Sequence, residues 1–173
     1  LPGRGTRLKG HADAIGLLAR LRAGGQDARL WMPGAVQDGR DAYLGELQRL
    51  AADAGVDEAL AMTEPTGGMA AAYAASDLVL QLSRKPEAFG RTVVEALAVG
   101  RPVLGWAHGG VGDLLAELQP AGAVPPFDAA ALAEAAGRLL ARPPQPPATM
   151  PYTLAAMQQA TLALYGEMVG DAG

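Results

Sequence analysis

The sequence predicts an α/β fold, with helices packed on the faces of a parallel sheet. Three observations carry that expectation. Short β-type runs alternate with helical patterns, and Gly or Pro punctuates the joins. Half of the 173 residues are hydrophobic and 18% are charged, which supplies a full core and excludes a mainly disordered chain. No apolar run approaches the roughly 20 residues of a membrane span, and no repeat of fixed period is present.

The elements follow in order. Ile15, Leu18 and Leu21 recur at helical spacing over 11–22, and Gly24-Gly25 stops that helix. A short strand is expected over 28–32, broken by Pro33-Gly34. A second helix over 41–54 carries the inner stripe Leu44, Leu47, Leu50 and Ala51, with Gly55 at the position of a terminating glycine. A weak strand at 60–62 and a short helix over 69–75 lead to the best central strand, 77–82. The polar loop 83–90 then opens a helix over 91–99, closed by Gly100. Beyond it come a strand at 102–104, a glycine-rich loop over 105–112 and a helix over 113–118. Asp128 can cap the last core helix, which ends near Leu140. The proline-rich stretch 142–151 reads as an extended linker, and a final helix covers 152–169. Leu154, Met157, Thr161, Leu164 and Met168 form an apolar stripe on it that is expected to pack, against a partner the sequence leaves open. The division expected is a core domain over 1–141, a linker over 142–151 and a helix over 152–170.

Composition excludes several functions. The 14 Lys and Arg face 18 Asp and Glu, for a net charge of −4, so clustered cations for a duplex are lacking and nucleic acid is not an expected partner. Cysteine is absent, which removes disulfides and thiolate metal sites and fits a reducing compartment. Leu1 is followed directly by Pro2-Gly3-Arg4-Gly5, without a start Met or a signal segment. The expectation is a processed chain, or one that begins inside a larger protein.

Three segments could carry chemistry. The first runs from Ser83 to Glu95. In an open parallel sheet, ligands bind beyond the carboxyl ends of the strands. Glu87 lies in the loop after the 77–82 strand, and Gly90 lets that loop approach a ligand and opens the next helix. The amides of Phe89, Gly90, Arg91 and Thr92 would then present a helix N-terminus to an anion. Glu95 sits about one turn into that helix, where a carboxylate can accept from two adjacent hydroxyls. Alternatively, Glu95 is a first-turn residue favoured by the helix dipole and Glu87 an exposed loop residue. The second segment, Gly3-Arg4-Gly5-Thr6-Arg7-Leu8-Lys9-Gly10, is a glycine-rich turn with three cations that could cradle a diphosphate, or merely expose them to solvent. The third is the loop around His108 and Gly109, with room for a ligand beside it. His108 lacks a paired nucleophile there, so binding or structure is its expected role. His11 is expected on a helix surface. No acidic or histidine cluster has metal spacing.

Taken as a set, these segments resemble family-4 glycosyltransferases, the retaining group with the GT-B architecture. Gly3-Arg4 with Lys9-Gly10 looks like that family's G-R-x4-K-G element. Ala74-Ala75-Ser76-Asp77 looks like its A-A-x-D element. Glu87 and Glu95 stand at its E-x7-E spacing. The run from Ala96 to Val103 and Gly109-Gly110 follow in the family's order, as do Val124-Pro125-Pro126-Phe127-Asp128. The resemblance covers about residues 2–141 and implies a Rossmann-like doubly wound parallel sheet. It further implies that this is the donor-binding one of two GT-B domains, with an N-terminal acceptor domain absent from this chain and a C-terminal helix after the linker.

Further expectations come with the resemblance. Arg4 and Lys9 would bind the diphosphate of a nucleotide-sugar, most readily a UDP-sugar, and help its nucleoside diphosphate depart. Glu87, with the backbone of Ala88, Phe89, Gly90, Arg91 and Thr92, would contact the transferred sugar. Glu95 would take the ribose, and Met62, Thr63 and Glu64 would lie near the base. His108 and Gly109 are possible further contacts. No cofactor or essential metal is implied, because Arg and Lys meet the phosphate charge. Asp113 departs from the Glu usual in the family. The form of residues 83–92 looks most like bacterial envelope-polysaccharide or lipopolysaccharide transferases. That implies a cytoplasmic enzyme which would reach the inner membrane through its other domain and not through this one. A stand-alone nucleotide-sugar-binding module and a GT-B nucleotide-sugar epimerase are the alternatives.

Overall fold

The computed structural model describes residues 1–170. Among them, seven α-helices alternate with five strands: α1 (His11–Ala23), β1 (Leu30–Pro33), α2 (Asp41–Asp53), β2 (Leu60–Thr63), α3 (Met69–Ala74), β3 (Val79–Gln81), α4 (Arg91–Ala98), β4 (Val103–Trp106), α5 (Gly109–Leu118), β5 (Ala123–Val124), α6 (Ala129–Ala141) and α7 (Leu154–Gly170). Every strand pair is parallel, as expected when a helix joins consecutive strands. The ladders fall into two groups, β1-β2 and β3-β4-β5. Residues 1–3 run beside β1, with the Leu1 amine donating to the Trp31 carbonyl at 2.9 Å and Gly3 N–H to the Pro33 carbonyl at 3.0 Å. A groove of about 680 Å³, lined by Leu17, Leu18, Leu30 and Leu80 among others, opens between the two groups at the amino ends of the strands.

Side-chain alternation places helices on both faces. In β3 and β4, Leu80 and Leu104 join a core with Ile15, Leu18, Met32, Leu47 and Leu132 of α1, β1, α2 and α6. Their neighbours Val79 and Val103 face the other way, into a second core with Tyr73, Val93, Val94, Leu97 and Leu115 of α3, α4 and α5. Burying each such side chain contributes roughly 1.5–3 kcal/mol, so both faces hold the sheet.

Helix ends follow local chemistry. α2 ends in a glycine turn in which Gly55 takes φ 66°, with Gly55 N–H bonding Ala52 O at 2.9 Å and Val56 N–H bonding Ala51 O at 2.9 Å. α6 starts at Asp128, whose Oδ1 accepts from the amides of Ala130 and Ala131 at 3.0 and 2.9 Å.

Several expectations are corrected. β4 extends through Gly105 and Trp106, and α5 begins at Gly109, so the loop expected over 105–112 shrinks to Ala107 and His108. Gly105 pairs with Gln81, and a Cβ on it would lie 2.9 Å from the Gln81 carbonyl. Glycine there serves close strand contact, not a turn. β5 has only two residues, too short to announce itself in the sequence. The partner left open for the apolar stripe of α7 is not found among the described residues: Leu154, Met157 and Leu164 are 68%, 60% and 57% exposed, which leaves the expected packing untested. The segment between α6 and α7 carries that helix off the domain, and the burial of Met168 lies outside what is described. No helix among the described residues is long and apolar enough to cross a membrane.

Candidate functional site

The site forms at the carboxyl ends of the strands. Residues 3–10 make a turn that closes in a short 3₁₀ segment, Arg7–Lys9. Gly10 follows with φ 74°, and a Cβ there would stand 2.1 Å from the Leu82 carbonyl. Backbone contact this close between the turn and the end of β3 permits only glycine. Arg84 N–H bonds the Leu8 carbonyl at 2.8 Å, which straps the loop after β3 to the same turn.

That geometry brings Lys9 to Glu87. The Lys9 ammonium donates to Glu87 Oε1 at 2.5 Å, across 78 residues of sequence. Ser83 Oγ donates to the same oxygen at 2.6 Å, and Gln81 Nε2 donates to Oε2 at 3.2 Å. Gln81 and Ser83 are buried, at 5% exposure each. Burial alone would raise the Glu87 pKa, but the hydrogen bonds from Lys9 and Ser83 and the Lys9 charge outweigh it and hold the group below the usual carboxylate range. Glu87 is therefore a fixed anion that accepts hydrogen bonds and has no proton to give.

Gly90 caps α4 with φ 105°. The first amides of a helix lack intrahelical partners, so Arg91 and Thr92 present N–H groups at this end. One turn further, Glu95 Oε2 accepts from the Tyr73 hydroxyl at 2.9 Å, and its Oε1 lies 3.1 Å from Arg91 Nε. Ala88, Phe89 and Arg91 are exposed along the rim.

The other candidate residues are placed differently. Arg4 is exposed and makes no ion pair among the described residues, whereas Arg7 is taken up by Glu46 at 2.5 Å and by the face of Tyr43. Gly110 N–H bonds the Glu87 carbonyl at 2.8 Å, and a Cβ at Gly109 would stand 2.7 Å from the same oxygen. The room expected beside that loop is thus filled on one side by the backbone of Glu87. His108 Nε2 lies 2.9 Å from the Ser83 carbonyl, which requires it to carry the proton and donate. Met62, Thr63 and Glu64 stand at the carboxyl end of β2, linked to the turn through Gly34, whose N–H bonds the Thr63 carbonyl at 3.0 Å.

His11 corrects the surface expectation, for it is fully buried at 0% exposure. Its Nδ1 lies 3.2 Å from the Thr6 carbonyl, and burial lowers its pKa, so the ring is a neutral support of the turn. The sequence reading also missed Gln81 and Tyr73. A lone Gln closing an otherwise apolar strand was the available signal for the first; Tyr73 had none.

Chemically, the site combines a lysine, an ionised carboxylate, a helix N-terminus and a second carboxylate one turn deeper. It suits an anion flanked by hydroxyl groups.

The family profile described as "Glycosyl transferases group 1" matches residues 2–152. Among solved structures, a glycosyltransferase from Rickettsia africae superposes with a TM-score of 0.83 at 22% identity, covering 97% of this chain and 46% of that one. Anabaena Alr3699/HepE, solved in complex with UDP, gives a TM-score of 0.71 at 26% identity over 80% of this chain and 37% of its own. WaaG, a glycosyltransferase involved in lipopolysaccharide biosynthesis, gives 0.64 at 25% identity over 78% of this chain and 35% of its own. The chain therefore spans less than half the length of these structures. A search of curated proteins gives no match.

Proposed function

The chain belongs to the group 1 glycosyl transferases, and from that premise we propose that it is the nucleotide-sugar-binding half of a retaining, two-domain GT-B enzyme. The observation that carries this reading is the meeting of Lys9, Glu87 and the start of α4 at the strand ends. A nucleoside diphosphate needs that combination. Lys9 and Arg4 offset the charge of the diphosphate and stabilise it as it leaves the sugar. The amides at the start of α4 add a partial positive charge on the same side. Glu95 receives the ribose hydroxyls, and Met62, Thr63 and Glu64 border the base. Glu87, already ionised, accepts from a sugar hydroxyl and holds the sugar in place.

HepE is solved with UDP and with UDP-glucose, which favours a UDP-sugar as the donor here. The likeness to WaaG favours a role in lipopolysaccharide or envelope-polysaccharide synthesis. Acceptor contacts would come from a second domain, so the 173-residue chain by itself binds donor without turning it over. Calorimetry with UDP tests the reading. Binding is expected for the intact chain and should weaken by about tenfold or more in Lys9→Ala, the loss of one charge-assisted contact. No binding by the intact chain, or equal binding by the variant, overturns it.

A further inference from the structure

Tyr73 lies on α3, outside the loops that form the site. Its ring is 4% exposed, packed in the core with Val93, Val94 and Leu97. Packing alone would be served by phenylalanine. The hydroxyl nevertheless reaches across to α4 and donates to Glu95 Oε2 at 2.9 Å. Arg91 Nε stands 3.1 Å from the other oxygen, so both ends of the carboxylate are anchored. Oε2 accepts one hydrogen bond and Oε1 faces one ion-pair partner, so both oxygens keep a lone pair for a ligand. Burial first, and then the Glu95 carboxylate, push the Tyr73 pKa up to about 12, so the phenol stays a donor at neutral pH. The two anchors differ in kind. The Arg91 side chain is 86% exposed and sits on the same helix, whereas Tyr73 is rigid and buried on another. A glutamate side chain at 40% exposure would otherwise sample several rotamers, and fixing it before a ligand arrives removes that ordering cost from binding.

We propose that Tyr73 is a positioning residue that holds the Glu95 carboxylate ready for two adjacent ribose hydroxyls, and so sets the preference for ribose over ribose lacking those hydroxyls. The inference rests on Glu95 being the ribose acceptor. Its test is calorimetry of the 173-residue chain with UDP and with 2′,3′-dideoxy-UDP, using wild type, Tyr73→Phe, Glu95→Ala and the double variant. Tyr73→Phe should bind UDP about fivefold more weakly, on the scale of one hydrogen bond to a charged group, and dideoxy-UDP as wild type does. In the Glu95→Ala background the same change should have no further effect. Should Tyr73→Phe prove too unstable to titrate, Glu95→Asp withdraws the carboxylate from Tyr73 and should show the same selective loss. Weak UDP binding by Glu95→Ala with normal binding by Tyr73→Phe overturns the positioning role alone. Equal losses for both nucleotides also overturn it, since packing damage does not distinguish them. A wild-type ratio between the two nucleotides in Glu95→Asp overturns it as well. Normal UDP binding by Glu95→Ala instead overturns the ribose reading on which the inference stands.

Discussion

Glu87 shows how a single side chain can be tuned by its neighbours. Three donors, from Lys9, Ser83 and Gln81, converge on it, and the carboxylate stays charged although half-buried. Lys9 and Glu87 balance each other in charge, and under the proposed function a diphosphate approaching Lys9 would have to share its ammonium with Glu87. Gly10 is what allows the approach. It has φ 74°, and any Cβ would strike the Leu82 carbonyl at 2.1 Å. Gly10→Ala should therefore lower stability by more than about 2 kcal/mol, through backbone strain and displacement of the turn. Urea unfolding monitored by tryptophan fluorescence measures this, and a change below ~0.5 kcal/mol would contradict the close packing. The spacing of Glu87 and Glu95 was legible because it lies within one loop and helix. Gln81 and Tyr73 were not, since the first acts through a loop that folds back onto its strand end and the second through a contact between two helices, from residue 73 to residue 95. His11 was misread because a polar residue at a helix start is commonly exposed, and only the fold brings the Thr6 carbonyl and the Tyr43 ring against it.

The elements were legible where local chemistry marks them. α1, α2, α4 and α6 appear close to their expected bounds because stripes, caps and glycine stops act within a few residues. Asp128 is a direct case, with its carboxylate accepting from two first-turn amides. Asp128→Ala should lower stability by about 1 kcal/mol, read as a shift in the urea midpoint. The loop over 105–112 failed as an expectation because glycine was taken to break structure. Gly105 and Gly110 instead admit the backbones of Gln81 and of Ala88 and Phe89, which a Cβ at either position would meet at 2.5–2.9 Å. For α7 the pattern gave the helix but not its surroundings. Leu164→Glu should change the stability of this chain by less than ~0.5 kcal/mol, because the side chain already meets solvent. A larger loss would mean that the helix packs on the domain after all.

At the scale of the molecule, the alternation of strands and helices foretold parallel pairing, and opposite faces of β3 and β4 supply the two cores. The split into two ladders was not legible, since single strands do not reveal their neighbours. What the fold accomplishes is to gather the turn at Lys9, the loop at Glu87 and the start of α4 at one end, while the groove between the ladders opens at the other. A nucleoside diphosphate should thus find its site at the carboxyl ends of the strands. Amide NMR of the chain titrated with UDP tests this most directly. Shifts are expected to concentrate at Lys9, Gly10, Gly90, Arg91, Thr92 and Glu95, with the residues of the groove and α7 unmoved. Shifts confined to the groove or to α7, or no shifts at saturating UDP, would contradict it.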